Sequence, residues 1–349
     1  MIAVRNSAGS LDRCLSALRL SSFKDYECLV VDDCSTDASA PVALRHGFPV
    51  LAMSRHSGPA AARNRGARAA GSELLFFLDA DVCVQPDTLE RVWMALSSDP
   101  GLDAVMGSYD ESPADPSLVS QFKNLLHHFI HQHANSRAST FWSACGGIRR
   151  SVFREMGGFD ESFRRPSVED IDFGMRMRRS GKRLVLDPRI QVKHLKRWTL
   201  ANLVKTDVRD RALPWTRLIL AEGRMPDDLN LRRGERRCVA LSWIAALSVP
   251  ACVWNPWSLA AGGAAVLGIV FVQRRFYEFL AQRRGWAFAI GAIPLHLLYF
   301  LYSGVGFGAG LIAHCFDRLR GAQPSDSLTE AEPMVRRAAA PHTPPENMP

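Results

Sequence analysis

The sequence predicts an α/β domain with a doubly wound sheet over residues 1–197, followed by a membrane-embedded helical region. Three observations carry this. Short apolar runs at residues 26–31, 49–53 and 74–78 alternate with segments of helical period, as expected for strands buried on both faces and joined by crossover helices. Two of these runs end in acidic clusters, Asp32-Asp33 and Asp79-Ala80-Asp81. In open α/β sheets ligands bind beyond the carboxyl ends of the strands. Finally, the composition turns apolar and almost uncharged from Cys238 onward.

The elements follow in order. Residues 1–4 read as an opening strand. The chain starts inside it, so a preceding stretch or an earlier start is expected. Ser10 can cap a helix with Leu11, Cys14, Leu15 and Leu18 on its apolar face. The strand candidates at 26–31, 49–53 and 74–78 come next, with an Ala/Arg-rich helix at 59–70 between the last two. Glu169 and Asp170 open a helix running through Phe173, Met177 and Gly181. The sheet is expected to be mostly parallel.

Residues 198–236 read as amphipathic linker helices, suited to a membrane surface or to packing on the first domain. Residues 237–317 read as a membrane region of about three helices. Two uncharged runs of about 16–17 residues, at 238–254 and 257–272, form a hairpin turning at Asn255-Pro256. The third, Trp286–Phe316, has no charged residue and is long enough to span with tilt. A re-entrant third segment, broken near Pro294 or the glycines at 304–310, would reconcile the spans with Arg318 and Arg320. The tail, 318–349, reads as disordered.

The formal charge of +8 admits nucleic acid, an anionic membrane face or a phosphate-rich substrate. Arginine pairs at 232-233, 236-237, 274-275 and 283-284 flank the apolar runs. That placement favours the membrane over nucleic acid and puts the catalytic part on the cytosolic face of the inner membrane. The eight cysteines include no C-x-x-C pair, which fits a reducing compartment without disulfides or zinc. No secretory signal opens the sequence.

Two carboxylates at the end of a buried strand are costly unless a cation sits between them. Asp79 and Asp81 are therefore candidate ligands for Mg²⁺ or Mn²⁺, which carboxylates and substrate phosphates hold together. Asp32 and Asp33 can accept hydrogen bonds from a base or a ribose, while Ser35 or Asp37 can start the next helix. Glu169 or Asp170 can act as a general base, or merely compensate a helix dipole. His127, His128, His131 and His133 form a cluster without a metalloprotease pattern, read as an acceptor-facing or surface helix.

Taken together, these residues resemble the family 2 glycosyltransferases of the GT-A fold, a Rossmann-like mixed sheet that binds nucleotide-diphosphate sugars. The resemblance covers about residues 1–195. It rests on Met1-Ile2-Ala3-Val4-Arg5-Asn6, on Val30-Val31-Asp32-Asp33-Cys34-Ser35-Thr36-Asp37, on Ala62-Arg63-Asn64-Arg65-Gly66, on Phe77-Leu78-Asp79-Ala80-Asp81, on Gly146-Gly147 with Gly157-Gly158-Phe159-Asp160, and on Val168-Glu169-Asp170-Ile171-Asp172 with Arg176. It implies that Asn6, Asp32, Asp33, Arg63 and Asp79 bind the nucleotide sugar. Asp79, Asp81 and His194 would hold a divalent metal, Mg or Mn, although His194 is equally readable as structural. Asp170 would be the base, with Glu169 supporting it or meeting the acceptor. The implied reaction is inverting transfer to a lipid-linked or glycan acceptor. A polyprenyl-phosphate transferase, a nucleotidyltransferase and a non-catalytic membrane scaffold are the competing readings. Ala3 and Arg5 depart from the family's proline and tyrosine. Arg211-Ala212-Leu213-Pro214-Trp215 is not the Gln-x-x-Arg-Trp motif of polysaccharide synthases, which argues against long-chain synthesis.

Overall fold

The computed structural model describes residues 1–223 and 225–319. The expected disordered tail, including Arg320, therefore lies outside the described residues from 320 on.

β1 (Ile2–Val4), β2 (Val30–Asp32), β3 (Val50–Ala52) and β4 (Leu74–Asp79) are linked by α1 (Ala8–Arg19), α2 (Ser39–Arg45) and α3 (Pro59–Ala69). They pair in parallel in the order β3-β2-β1-β4. Along β4 the side chains alternate between two cores. Leu78 packs with Leu11, Leu15 and Val30 on one face, while Leu75 and Phe77 pack with Phe153 and Phe173 on the other. An uninterrupted apolar run therefore marks this strand.

The second half of the sheet is mixed, as the family resemblance implies. β5 (Val82–Val84), α4 (Thr88–Ser98), β6 (Ala104–Tyr109), α5 (Leu118–Gln132), β7 (Cys145–Arg149), α6 (Arg150–Glu155), α7 (Glu169–Arg179) and β8 (Leu184–His194) complete it. β7 runs antiparallel to both β4 and β6, β8 runs parallel to β6, and β5 antiparallel to β8. The short β1 is interior, flanked by β2 and β4.

Two local expectations change. Only residues 30 and 31 of the 26–31 run join the sheet, in β2; earlier in the run the Tyr26 N–H closes a turn on Lys24 O (3.0 Å). Ser10 does not cap α1. The helix begins at Ala8, whose N–H donates to Asp37 Oδ2 (2.9 Å), and the Ser7 N–H donates to Ser39 Oγ (3.1 Å). Asp37 also accepts from the Ser39 N–H and Oγ–H, so one carboxylate fixes the starts of two helices.

After β8 come α8 (Leu200–Lys205), a π-helical turn (Thr206–Ala212) and α9 (Leu213–Glu222). The π-turn and α9 lie along the helix at Trp286–Leu319, and Asp207 and Glu222 of this stretch pair with Lys123 and Arg178 of the first domain. α10 (Arg233–Ala251) and α11 (Ser258–Val272) form the expected hairpin, and α12 (Arg274–Arg284) bends away from α11 by 69°. α13 (Trp286–Leu319) is continuous, so the broken third segment is not observed. Its glycines serve close packing, since a Cβ at Gly304, Gly306 or Gly310 would strike Trp243, Ala212 or Thr216. Among the described residues one helical stretch, Trp286–Phe316, is by itself long and apolar enough to cross a membrane; the bent α11–α12 pair meets that test only taken together. α10 is uncharged only from Cys238 to Ala251 and α11 has 15 residues, so neither passes that test alone. A third core joins Phe122, Leu125 and Leu126 of α5 to Phe276, Leu280 and Phe300, tying the helical region to the sheet through α5.

Candidate active site

Helix α3 contributes two neighbouring residues with different tasks. Gly58 precedes it at φ 90°, a conformation suited to glycine. The Arg63 guanidinium is buried and donates from Nη2 to Asp79 Oδ1 and from Nη1 to Glu169 Oε1, both at 2.7 Å. The planar fork of an arginine suits such a bridge. Burial alone would draw a proton from it, but the two carboxylates hold it charged. Asn64 clamps the chain at Phe159, accepting from its N–H (2.9 Å) and donating to its O (2.8 Å). Gly66 leaves room for Met1 and Val31. The Arg-Asn-x-Gly pattern therefore joins the end of β4, the start of α7 and the 157–160 turn.

The carboxylates divide accordingly. Glu169 is taken by Arg63 and by the Ser167 N–H (3.0 Å). Asp170 faces the cavity, accepting from the Ser143 N–H and Oγ–H at 3.2 Å. Burial and the adjacent Glu169 carboxylate push Asp170 up to about 7, despite the pull of Arg63. A base poised near neutrality is what proton abstraction at physiological pH requires. Asp79 is raised by burial, with Arg63 opposing. Desolvation would raise Asp81, but His194 beside it and the charge of Lys196 hold it low.

A cavity of about 950 Å³ brings together Asn6, Asp33, Arg63, Asp79, Asp81, Glu169, Asp170 and His194. Asp32 does not line it, and instead accepts the Ser35 N–H (3.0 Å) within its own turn. Asp33 accepts from the Ser57 and Gly58 N–H groups (2.8 and 2.9 Å) and from His56 Nδ1–H (2.7 Å). Arg5 in turn donates to His56 Nε2 (2.9 Å), so this residue, a departure from the family pattern, has a defined contact. Asn6, at φ 50°, accepts the Thr36 N–H (2.7 Å) and joins the β1 and β2 turns. Arg63 reaches the carboxylates of Asp79 and Glu169 rather than Asp33.

At the far wall His194 stacks on Tyr109, with centroids 4.4 Å apart and planes within 11°. Its Nε2 lies 3.5 Å from Asp81 Oδ2. Among the described residues no three His, Cys, Asp or Glu side chains converge on one metal position. The donor set nonetheless fits a hard divalent ion that takes one or two carboxylates from the protein and its other ligands from substrate phosphates. The α5 histidines form no second site. His131 Nδ1–H donates to Gly107 O and His128 to Tyr109 O. Burial holds His127 and His131 neutral, His131 down at about 4.

Sequence reasoning missed Ser143, Asn124, Lys196 and, as a cavity residue, Arg211. None belongs to a motif; Ser143, Asn124 and Arg211 reach the site from elements distant in the chain, and Lys196 follows His194 by two residues.

Comparison with known proteins bears on family and fold. Residues 1–157 match the model of the family described as Glycosyl transferase family 2. An uncharacterized glycosyltransferase of Haemophilus influenzae is 26% identical over 180 residues, covering 49% of this chain and 58% of that protein. The pre-mycofactocin glycosyltransferase of Mycobacterium tuberculosis is 31% identical over 210 residues, covering 56% and 42%. The chain thus spans about half the length of these relatives. A mannosyltransferase of Pyrobaculum calidifontis, solved with GDP-Man and Mn²⁺, superposes with a TM-score of 0.55 at 18% identity, covering 91% of this chain and 86% of that one. The likeness extends the GT-A fold to this chain.

Proposed function

We propose that the protein, whose residues 1–157 match the family model described as Glycosyl transferase family 2, moves a sugar from a nucleotide diphosphate, with inversion, to a lipid-linked or glycan acceptor at the cytosolic membrane face. One observation carries the reading: Asp170, raised to about 7, shares a cavity with Asp79 and Asp81. The nucleotide lies toward Asn6 and Asp33, and the acceptor enters beside Asp170. Asp170 takes the proton of the acceptor hydroxyl as its oxygen attacks the anomeric carbon. Asp79, Asp81 and His194 would hold a divalent ion, which offsets charge on the departing diphosphate. A diphosphate leaves without the carboxylic acid that glycoside hydrolysis needs. Lys196, which pairs with no carboxylate in the described residues and stacks on Trp198, adds positive charge beside Asp81.

Purified protein should release nucleoside diphosphate from UDP- or GDP-sugars with Mn²⁺ present and stop when EDTA is added. Asp81→Ala should lower that turnover at least about 10²-fold with little change in melting. Metal-independent turnover, or full activity in Asp81→Ala, would sink the metal assignment. Absence of turnover with any donor would favour the non-catalytic scaffold.

The membrane assignment draws on α13 and on the hairpin tip, where Trp254 and Trp257 are 83% and 80% exposed, as aromatic anchors at an interface would be. Tyr299 and Ser303 of α13 also line the cavity, which gives a lipid-borne acceptor a route to Asp170. The full chain should stay with membranes through alkaline carbonate extraction. Its release into the supernatant would remove the integral-membrane reading.

A further inference from the structure

We infer that Asn124 sets the tautomer of His194 and keeps the Nε2 lone pair turned toward the metal position; this rests on the metal reading of Asp79, Asp81 and His194 proposed above. Asn124 lies on α5, outside every motif in the sequence. Its amide cannot flip freely, because Nδ2 donates to Ser120 O at 2.9 Å. The atom 2.7 Å from His194 Nδ1 is therefore Oδ1. An amide oxygen only accepts, so Nδ1 carries the proton and neutral imidazole presents a bare Nε2.

That nitrogen faces Asp81 Oδ2 at 3.5 Å, beyond the roughly 2.7–2.9 Å of a charge-assisted hydrogen bond. Two acceptors facing each other repel unless a cation lies between them. Tyr109 fixes the plane of the ring by stacking, and Asn124 fixes its rotation in that plane. Both are buried. Ser120 also ties the scaffold to the chain that follows β8, its Oγ accepting the Trp198 N–H at 2.7 Å. The arrangement matches the outer-shell partners that orient metal-bound histidines. Asn124 is thus a positioning residue that acts through His194.

The test uses the full chain in detergent at one fixed pH. Side-chain ¹⁵N shifts, with His194 assigned by His194→Gln, should report protonated Nδ1 and bare Nε2 before metal is added. Titration with Mn²⁺ alone, followed by its EPR signal, should show binding about 10–100-fold weaker in Asn124→Leu. Asn124→Asp, which keeps an acceptor for Nδ1–H, should restore binding. A proton on Nε2 in the wild type, or unchanged Mn²⁺ affinity in a folded Asn124→Leu, overturns the inference. Wild-type protein that binds no Mn²⁺ overturns the metal reading instead, and the nitrogen shifts still decide the tautomer.

Discussion

Arg63→Leu is expected to cost about 3–5 kcal/mol of folding stability and to remove activity in the fraction that stays folded. The arginine is 7% exposed, and its loss leaves Asp79 and Glu169 facing each other without the cation that both contact at 2.7 Å. Uncompensated carboxylates in a buried site are among the few causes of effects this large. Thermal unfolding of the variant should drop by roughly 5–15 °C. Arg63→Lys should fall between, because an ammonium is a point charge that cannot make both bonds as a planar fork does. Arg63→Leu combined with Glu169→Gln should recover part of the loss, since one buried charge is removed with its partner. If Arg63→Leu melts with the wild type, the bridge is not structural, and the separation of roles between Glu169 and Asp170 loses its basis.

That separation marks where the sequence stopped being legible. Local pattern sufficed for the strand ending at Asp79, because a run buried on both faces leaves an unbroken apolar signature. It sufficed for the hairpin turn at Asn255-Pro256 and for the start of α7. It did not say which of two adjacent carboxylates faces the substrate. The answer depends on Arg63, 106 residues from Glu169, and on Ser143, 27 residues from Asp170. The start of α1 was misplaced for the same reason, its caps being Asp37 and Ser39 at the start of α2. The mixed half of the sheet is legible only through the family resemblance, since strand direction leaves no trace in periodicity. The glycines of α13 were read as breaks because glycine favours both bends and close helix packing. Only the neighbouring Trp243, Ala212 and Thr216 reveal which applies here. Asn124 lies 70 residues from His194 and carries no motif.

Asp170→Asn is expected to lower transfer by about 10²–10⁴-fold, the usual contribution of a positioned base. The wild-type pH profile should carry the same signature. With Asp170 raised to about 7 by burial and by Glu169, its carboxylate is mostly protonated at pH 6 and mostly ionised at pH 8. Values of kcat/KM should therefore climb about tenfold per pH unit below 7 and level off above it, and the Asn variant should lack that limb. Stability should move in the opposite direction. A carboxyl whose folded value lies above its unfolded value of 3.8 contributes most below the unfolded value, and that contribution is lost as pH rises through 7. Asp170→Asn should thus be more stable than wild type at pH 8, by about 1–2 kcal/mol for a partly solvated cavity group. The difference should shrink as pH falls and vanish only below the unfolded value of 3.8, where the side chain is neutral in both the folded and the unfolded chain. A catalytic group held at a cost to folding predicts this pairing of lost rate with gained stability, whereas dipole compensation at the start of α7 predicts lost stability. Full rate in Asp170→Asn would mean that the acceptor arrives already ionised, as a lipid phosphate does, and would move the reading to phosphate glycosylation beside Lys196 and Arg211.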